Sequence, residues 1–117
     1  MWNLDGYEAR CHPDLNEILY KLLPEDAVMK GSAYGRYVLA NPNGLIFAFA
    51  AGTYSIFLKL REDHHALARQ DSGRFDPTHG NEWIEFRVGG LKGGPPDWMA
   101  SIQRWAKVSL QDSLERS

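Results

Sequence analysis

Apolar and polar positions alternate most tellingly between residues 35 and 60, GRYVLANPNGLIFAFAAGTYSIFLKL, and the pattern predicts three β-strands joined by two tight turns. In the first strand Tyr37 and Leu39 share one face while Arg36, Val38 and Ala40 take the other, because strand side chains alternate with period two. Asn41-Pro42-Asn43-Gly44 follows, with Pro42 presetting φ and Gly44 accepting the positive φ that closes such a turn. Residues 45–51 then run apolar without alternation, as a central strand covered on both faces does. Gly52-Thr53 turns the chain again. Beyond it Tyr54, Ile56, Leu58 and Leu60 face one way, and Ser55, Phe57 and Lys59 the other. Connections this short make antiparallel neighbours.

Helical spacing flanks this meander. Leu15, Ile18, Leu19, Leu22 and Leu23 fall at i, i+3, i+4, i+7 and i+8, the apolar stripe of an α-helix. Pro13 suits its first turn, Asp14 with Glu17 supplies a capping box, and Pro24 stops it. Residues 25–32 read as a polar connector and residues 1–11 as a loose end. After Leu60, Asp63 is placed to cap a short helix through Ala66, Leu67 and Ala68. Residues 71–81 are rich in Gly, Asp and Pro and read as loop. A fourth strand spans 82–88, with Ile84, Phe86 and Val88 inward and Trp83, Glu85 and Arg87 outward. The glycine-rich stretch 89–96 precedes a long last helix, capped by Asp97, on which Trp98, Ile102, Trp105 and Val108 recur. The polar residues 111–117 are expected to fray.

The expected fold is therefore α+β, in the order α-β-β-β-α-β-α. A four- to five-stranded antiparallel sheet carries its helices on one face. A length of 117 residues predicts one domain.

Composition narrows the function classes. A net charge of −2 argues against a general binder of phosphate backbones, which carries a basic excess. Cys11 is the only cysteine, so neither an intramolecular disulfide nor a multi-cysteine metal site can form. No signal-peptide pattern opens the chain, and its longest apolar run falls far short of the ~20 residues of a membrane span. Together these predict a cytoplasmic protein with no membrane association.

Few residues suggest chemistry. Lys92, Gly93 and Gly94 sit in a glycine loop just before a helix, an arrangement that can hold a phosphate, but neither Walker nor dinucleotide spacing is present. A flexible turn is the plainer reading. His64, His65 and His79, with Asp63, Asp71, Asp76 and Glu82, invite a metal reading. Adjacent histidines on a helix point about 100° apart, however, and a solvated polar surface is preferred. Cys11-His12 lacks the spatial pairing of a nucleophile and its base, and Glu82 and Glu85 lie on opposite faces of one strand. No catalytic residue, metal ligand or cofactor is predicted. Trp83 stands out, because a large aromatic on the polar side of an alternating strand marks a contact surface, here with Glu85 and Arg87. A nucleic-acid patch of Arg36, Lys59 and Arg61 is the weakest reading.

The run Met29-Lys30-Gly31-Ser32-Ala33-Tyr34-Gly35, then Asn43-Gly44-Leu45-Ile46-Phe47-Ala48-Phe49, Ile56-Phe57-Leu58-Lys59-Leu60 and the late Trp105-Ala106 pair resembles the TfoX N-terminal-like domains. These are small α+β proteins similar in architecture to the YjbR-like group. Where that family usually has Met-Phe-Gly, this chain has Ala33-Tyr34-Gly35. The resemblance implies a cytosolic bacterial domain with no catalytic residues to carry over, and a role in DNA uptake is not carried over either. The expected function is thus a non-catalytic regulatory or protein-interaction domain that forms a homodimer or meets another protein. A small-ligand or phosphate binder using loop 89–94 is the alternative.

Overall fold

The computed structural model describes residues 13–33, 36–51, 55–71, 73–75, 82–88 and 98–116. Among them the elements run α1 (Pro13–Tyr20), β1 (Met29–Ala33), β2 (Arg36–Ala40), β3 (Ile46–Ala51), β4 (Ser55–Lys59), α2 (His65–Gln70), β5 (Arg74–Phe75), β6 (Trp83–Arg87) and α3 (Trp98–Arg116). The class is α+β, as the patterning predicts. The strands form one antiparallel sheet in the order β1-β2-β3-β4-β6-β5.

Six strands replace the expected four to five. The segment read as a polar connector is β1, which pairs from Met29↔Ala40 to Ala33↔Arg36. It is an edge strand held by backbone hydrogen bonds, and its sequence MKGSA, exposed from Met29 to Ser32, carries no apolar alternation. Tyr20 donates its hydroxyl to the Gly31 carbonyl at 2.7 Å and so ties α1 to that edge. The two-residue β5 lies inside the stretch read as loop and is too short to show a period.

The meander itself forms, and its first turn has the predicted chemistry, whereas the Gly52-Thr53 turn lies outside the described residues. Gly44 has φ +91°. Asn41, fully buried, accepts the N–H groups of Asn43 and Leu45 on Oδ1 at 2.9 and 3.1 Å, so one side chain closes the turn. A bulge follows in β3, because Leu39 stands opposite Ala48 and Ala40 opposite Ile46, which leaves Phe47 with no partner across the ladder. Phe47 and Phe49 consequently go to different sides of the sheet despite their even spacing.

The main core lies between the sheet and the helices. Leu39, Phe47, Ile56, Leu58, Ile84 and Phe86 meet Leu19 and Leu22, Ala68 of α2, and Ile102, Trp105 and Ala106 of α3. α1 stops at Tyr20, one turn before the stripe predicts, where the chain tightens and the Lys21 and Leu22 N–H groups donate to the Ile18 and Leu19 carbonyls at 3.2 and 3.3 Å. Leu22 and Leu23 remain buried in the turns that follow. No described helix is long and apolar enough to cross a membrane.

The largest correction concerns the C-terminal residues. α3 continues to Arg116, and its buried stripe is Ile102, Trp105, Ala106, Ser109, Asp112 and Ser113. Asp112 is 2% exposed, and its carboxylate accepts the Arg61 N–H and faces His64 Nδ1, both at 2.9 Å. Asn41 Nδ2 donates to Ser113 Oγ at 3.1 Å. Ser109 Oγ lies 3.1 Å from the Phe47 carbonyl and 2.7 Å from that of Lys59. These residues hold the end of the helix where a fraying tail was expected.

α2 departs from expectation at both ends. Asp63 does not cap it but lies in the 3₁₀ turn Glu62–His64, and its carboxylate binds Arg61 instead. That hydrogen-bonded guanidinium holds the Asp63 carboxyl below the usual range. At the C-terminal end the Gly73 N–H donates to the Ala68 carbonyl at 2.8 Å. A Cβ on Gly73 would stand 2.7 Å from Ala68 O and from Ile84 Cγ2, so only glycine lets the chain turn this closely into β5.

Asp71 ties α2 to α3, accepting from the Trp105 indole N–H at 2.8 Å and from Arg104. Partial burial works against its charge, but Arg104 and the Trp105 N–H outweigh that and hold its carboxyl below the usual range. A carboxyl depressed in the folded state stabilises the fold at neutral pH and ceases to do so as pH falls through its folded pKa. Asp71→Asn is therefore expected to flatten the loss of stability on acidification below about pH 4, the range in which free Asp titrates. Urea midpoints measured from pH 7 to pH 2 check this, and an unchanged slope contradicts it.

Candidate interaction surface

The residues singled out around Trp83 lie where the strand parity places them. Trp83, Glu85 and Arg87 share the sheet face opposite the helices, while Ile84, Phe86 and Val88 point into the main core. Cross-strand register builds this second face row by row. Val38 pairs with Phe49, Phe49 with Phe57, Phe57 with Glu85, and Lys59 with Trp83. The register sets Phe49 against Phe57 in a near-parallel stack at 4.8 Å, and Trp83 meets Phe49 edge-on at 4.8 Å.

This second cluster comprises Val38, Phe49 and Phe57, with Ile46, Ala51 and Trp83 packed against it. Every one of its members comes from a strand, and among the described residues no helix contributes. Phe49 and Phe57 are buried, whereas Trp83 is half-buried. Among the described aromatics of this cluster, Trp83 is thus the one that still meets solvent.

Charged side chains frame it. Lys59 Nζ sits 5.8 Å from the Trp83 ring centroid, and the Arg36 guanidinium 5.1 Å from that of Phe49. Glu85 accepts from the Ser55 hydroxyl and lies 3.7 Å from Arg87 Nε. Glu82 approaches Lys59 at 4.0 Å. The face carries both signs of charge beside an aromatic. Arg61 does not join Arg36 and Lys59 in a basic patch, because Asp63 and Glu115 hold it.

Two further sites escaped the sequence. In one, His64 and Asp112 stand beside Arg61, Lys107, Gln111 and Glu115 in a cleft of about 390 Å³. The pair links residues 48 apart in the chain, which no spacing rule reveals. In the other, Arg69 and Arg74 line a groove with Phe75. The metal reading is separated by the fold, since His64 turns to Asp112 and His65 Nε2 to the Leu60 carbonyl at 2.9 Å. Among the described residues no three His, Cys, Asp or Glu side chains converge. Cys11, His12, His79, Asp76 and the loop residues Lys92, Gly93 and Gly94 lie outside the described residues.

Compared with protein-family models, with curated proteins and with solved structures, the chain matches none.

Proposed function

We propose that this protein is a protein-interaction domain of the TfoX N-terminal type, without catalysis of its own, and that its first partner is a second copy of itself. The observation that carries the reading is the half-buried Trp83, set on an all-strand face between Lys59 and the Glu85–Arg87 pair. A two-fold interface brings one patch against itself, so a patch of mixed sign around an aromatic is self-complementary. Aromatic anchors of this kind concentrate binding energy, about 2 kcal/mol or more on truncation. The single cysteine and the absence of a long apolar helix among the described residues support a cytoplasmic setting.

Trp83→Ala is expected to weaken self-association by about thirtyfold, the equivalent of that truncation cost. Sedimentation equilibrium on both forms measures it, with circular dichroism showing that the variant is folded. A folded variant that associates as tightly as the parent removes Trp83 from the interface and with it this proposal.

A further inference from the structure

Seven arginines lie among the described residues, and five of them are engaged. Arg36 covers the Phe49 ring, Arg61 binds Asp63 and Glu115, Arg87 faces Glu85, Arg104 binds Asp71, and Arg116 binds Glu82. Arg69 and Arg74 differ. Both are exposed, and neither makes an ion pair or a side-chain hydrogen bond with the described residues. They belong to one groove of about 660 Å³, together with Ala66, Gln70, Gly73 and Phe75.

Local structure brings them together. The close turn at Gly73 folds β5 back along the end of α2, so residues five apart in sequence share a groove. Among the described residues no acidic side chain lines it. Among the described residues the nearby carboxylates have other partners, Asp71 in Arg104 and Trp105, and Glu85, opposite Arg74 on the ladder, in Ser55 and Arg87. The chain as a whole is acidic, at −2, so two guanidinium groups without an ion pair in one groove are a local reversal of sign. Guanidinium forks match phosphate oxygens in geometry and charge. Phe75, 43% exposed at the same groove, offers a flat apolar surface to a ring, with His65 tilted against it at 6.4 Å.

We infer that the groove between α2 and β5 binds a nucleoside phosphate, with Arg69 and Arg74 on the phosphates and Phe75 under the base. Its volume is that of small-ligand clefts, roughly 300–1,000 Å³. A single-stranded nucleic acid requires a longer basic track with several stacking rings, which the six described lining residues do not supply. Arg74 stands opposite Glu85 at the edge of the Trp83 face, but self-association is read from Trp83 and ligand binding from Arg69, Arg74 and Phe75, so failure of either reading leaves the other standing.

The test uses the full chain labelled with ¹⁵N and titrated with ADP, adenosine or inorganic pyrophosphate. ADP is expected to shift the amides of residues 69, 70, 73, 74 and 75 saturably, and to bind at least about tenfold more tightly than either fragment. Arg69→Ala and Arg74→Ala are each expected to weaken ADP about tenfold. Phe75→Ala is expected to bring ADP down to the level of pyrophosphate. All three side chains are exposed, and the spectra themselves report that each variant is folded. The inference is overturned by no saturable shift at these amides, by pyrophosphate binding as tightly as ADP, or by arginine variants that bind as the parent does.

Discussion

Asp112→Ala is expected to lower the stability of the domain by about 2–4 kcal/mol, a large part of what a small protein has. Asp112 is 2% exposed, and its carboxylate accepts the Arg61 backbone N–H and engages His64. Alanine removes both contacts at once and strands an amide donor in a partly buried position. The same side chain joins the last turns of α3 to the chain leaving β4, so its loss also loosens the helix end. Urea unfolding should show a midpoint about 1–2 M lower with an unchanged slope. Asp112→Asn keeps an oxygen for the Arg61 N–H and should cost about half as much. If Asp112→Ala unfolds at the midpoint of the parent, the helix end is not anchored as described.

Phe47→Ala is expected to cost about 3–5 kcal/mol, the range for removing a large buried aromatic. Phe47 is 0% exposed, and the bulge in β3 aims it between the sheet and the helices. Its neighbours Leu39, Ile56 and Ile102 sit on rigid elements and can close only part of the cavity. Phe47→Leu, which keeps most of the volume, should cost less than about 1.5 kcal/mol. The comparison with Phe49→Ala is informative, because Phe49 lies in the other cluster, against Phe57 and Trp83. Only the Phe49 change should also disturb self-association. Equal stability of Phe47→Ala and the parent in urea would contradict the placement of Phe47 in the main core.

The parts of this fold that were legible in sequence are those written in side-chain pattern. Alternation in β4 and β6 assigned each residue from Ser55 to Lys59 and from Trp83 to Arg87 to its proper face. The Asn41–Gly44 turn was readable because its chemistry is local. What escaped was written in the backbone or in polar burial. β1 owes its place to ladder hydrogen bonds, and Met29 on it is 53% exposed, so no apolar signal marks it. The last turns of α3 looked like a fraying tail because apolar periodicity ends near Leu110. Yet Trp105, Ser109, Asp112 and Ser113 continue the stripe at helical spacing, with small and acidic residues in place of apolar ones. Their hydrogen bonds to Asn41, Lys59 and Arg61 come from distant parts of the chain. A buried polar stripe is readable only once those partners are known.

The same division holds for the sites. Trp83 could be found because an aromatic on a polar strand face breaks the local pattern. Its surroundings could not, since Phe49, Phe57 and Lys59 reach it only through the order of strands in the sheet. The His64–Asp112 pair and the Arg69–Arg74 groove depend on chain reversals at the 3₁₀ turn and at Gly73.

The most direct measurement of the proposed self-association is the solution mass by light scattering across a concentration series. Reversible pairing through the Trp83 face predicts a mass that rises with concentration from 13.3 kDa toward twice that value, and a Trp83→Ala variant that stays near 13.3 kDa over the same range. A parent protein that holds at 13.3 kDa at every concentration would contradict it.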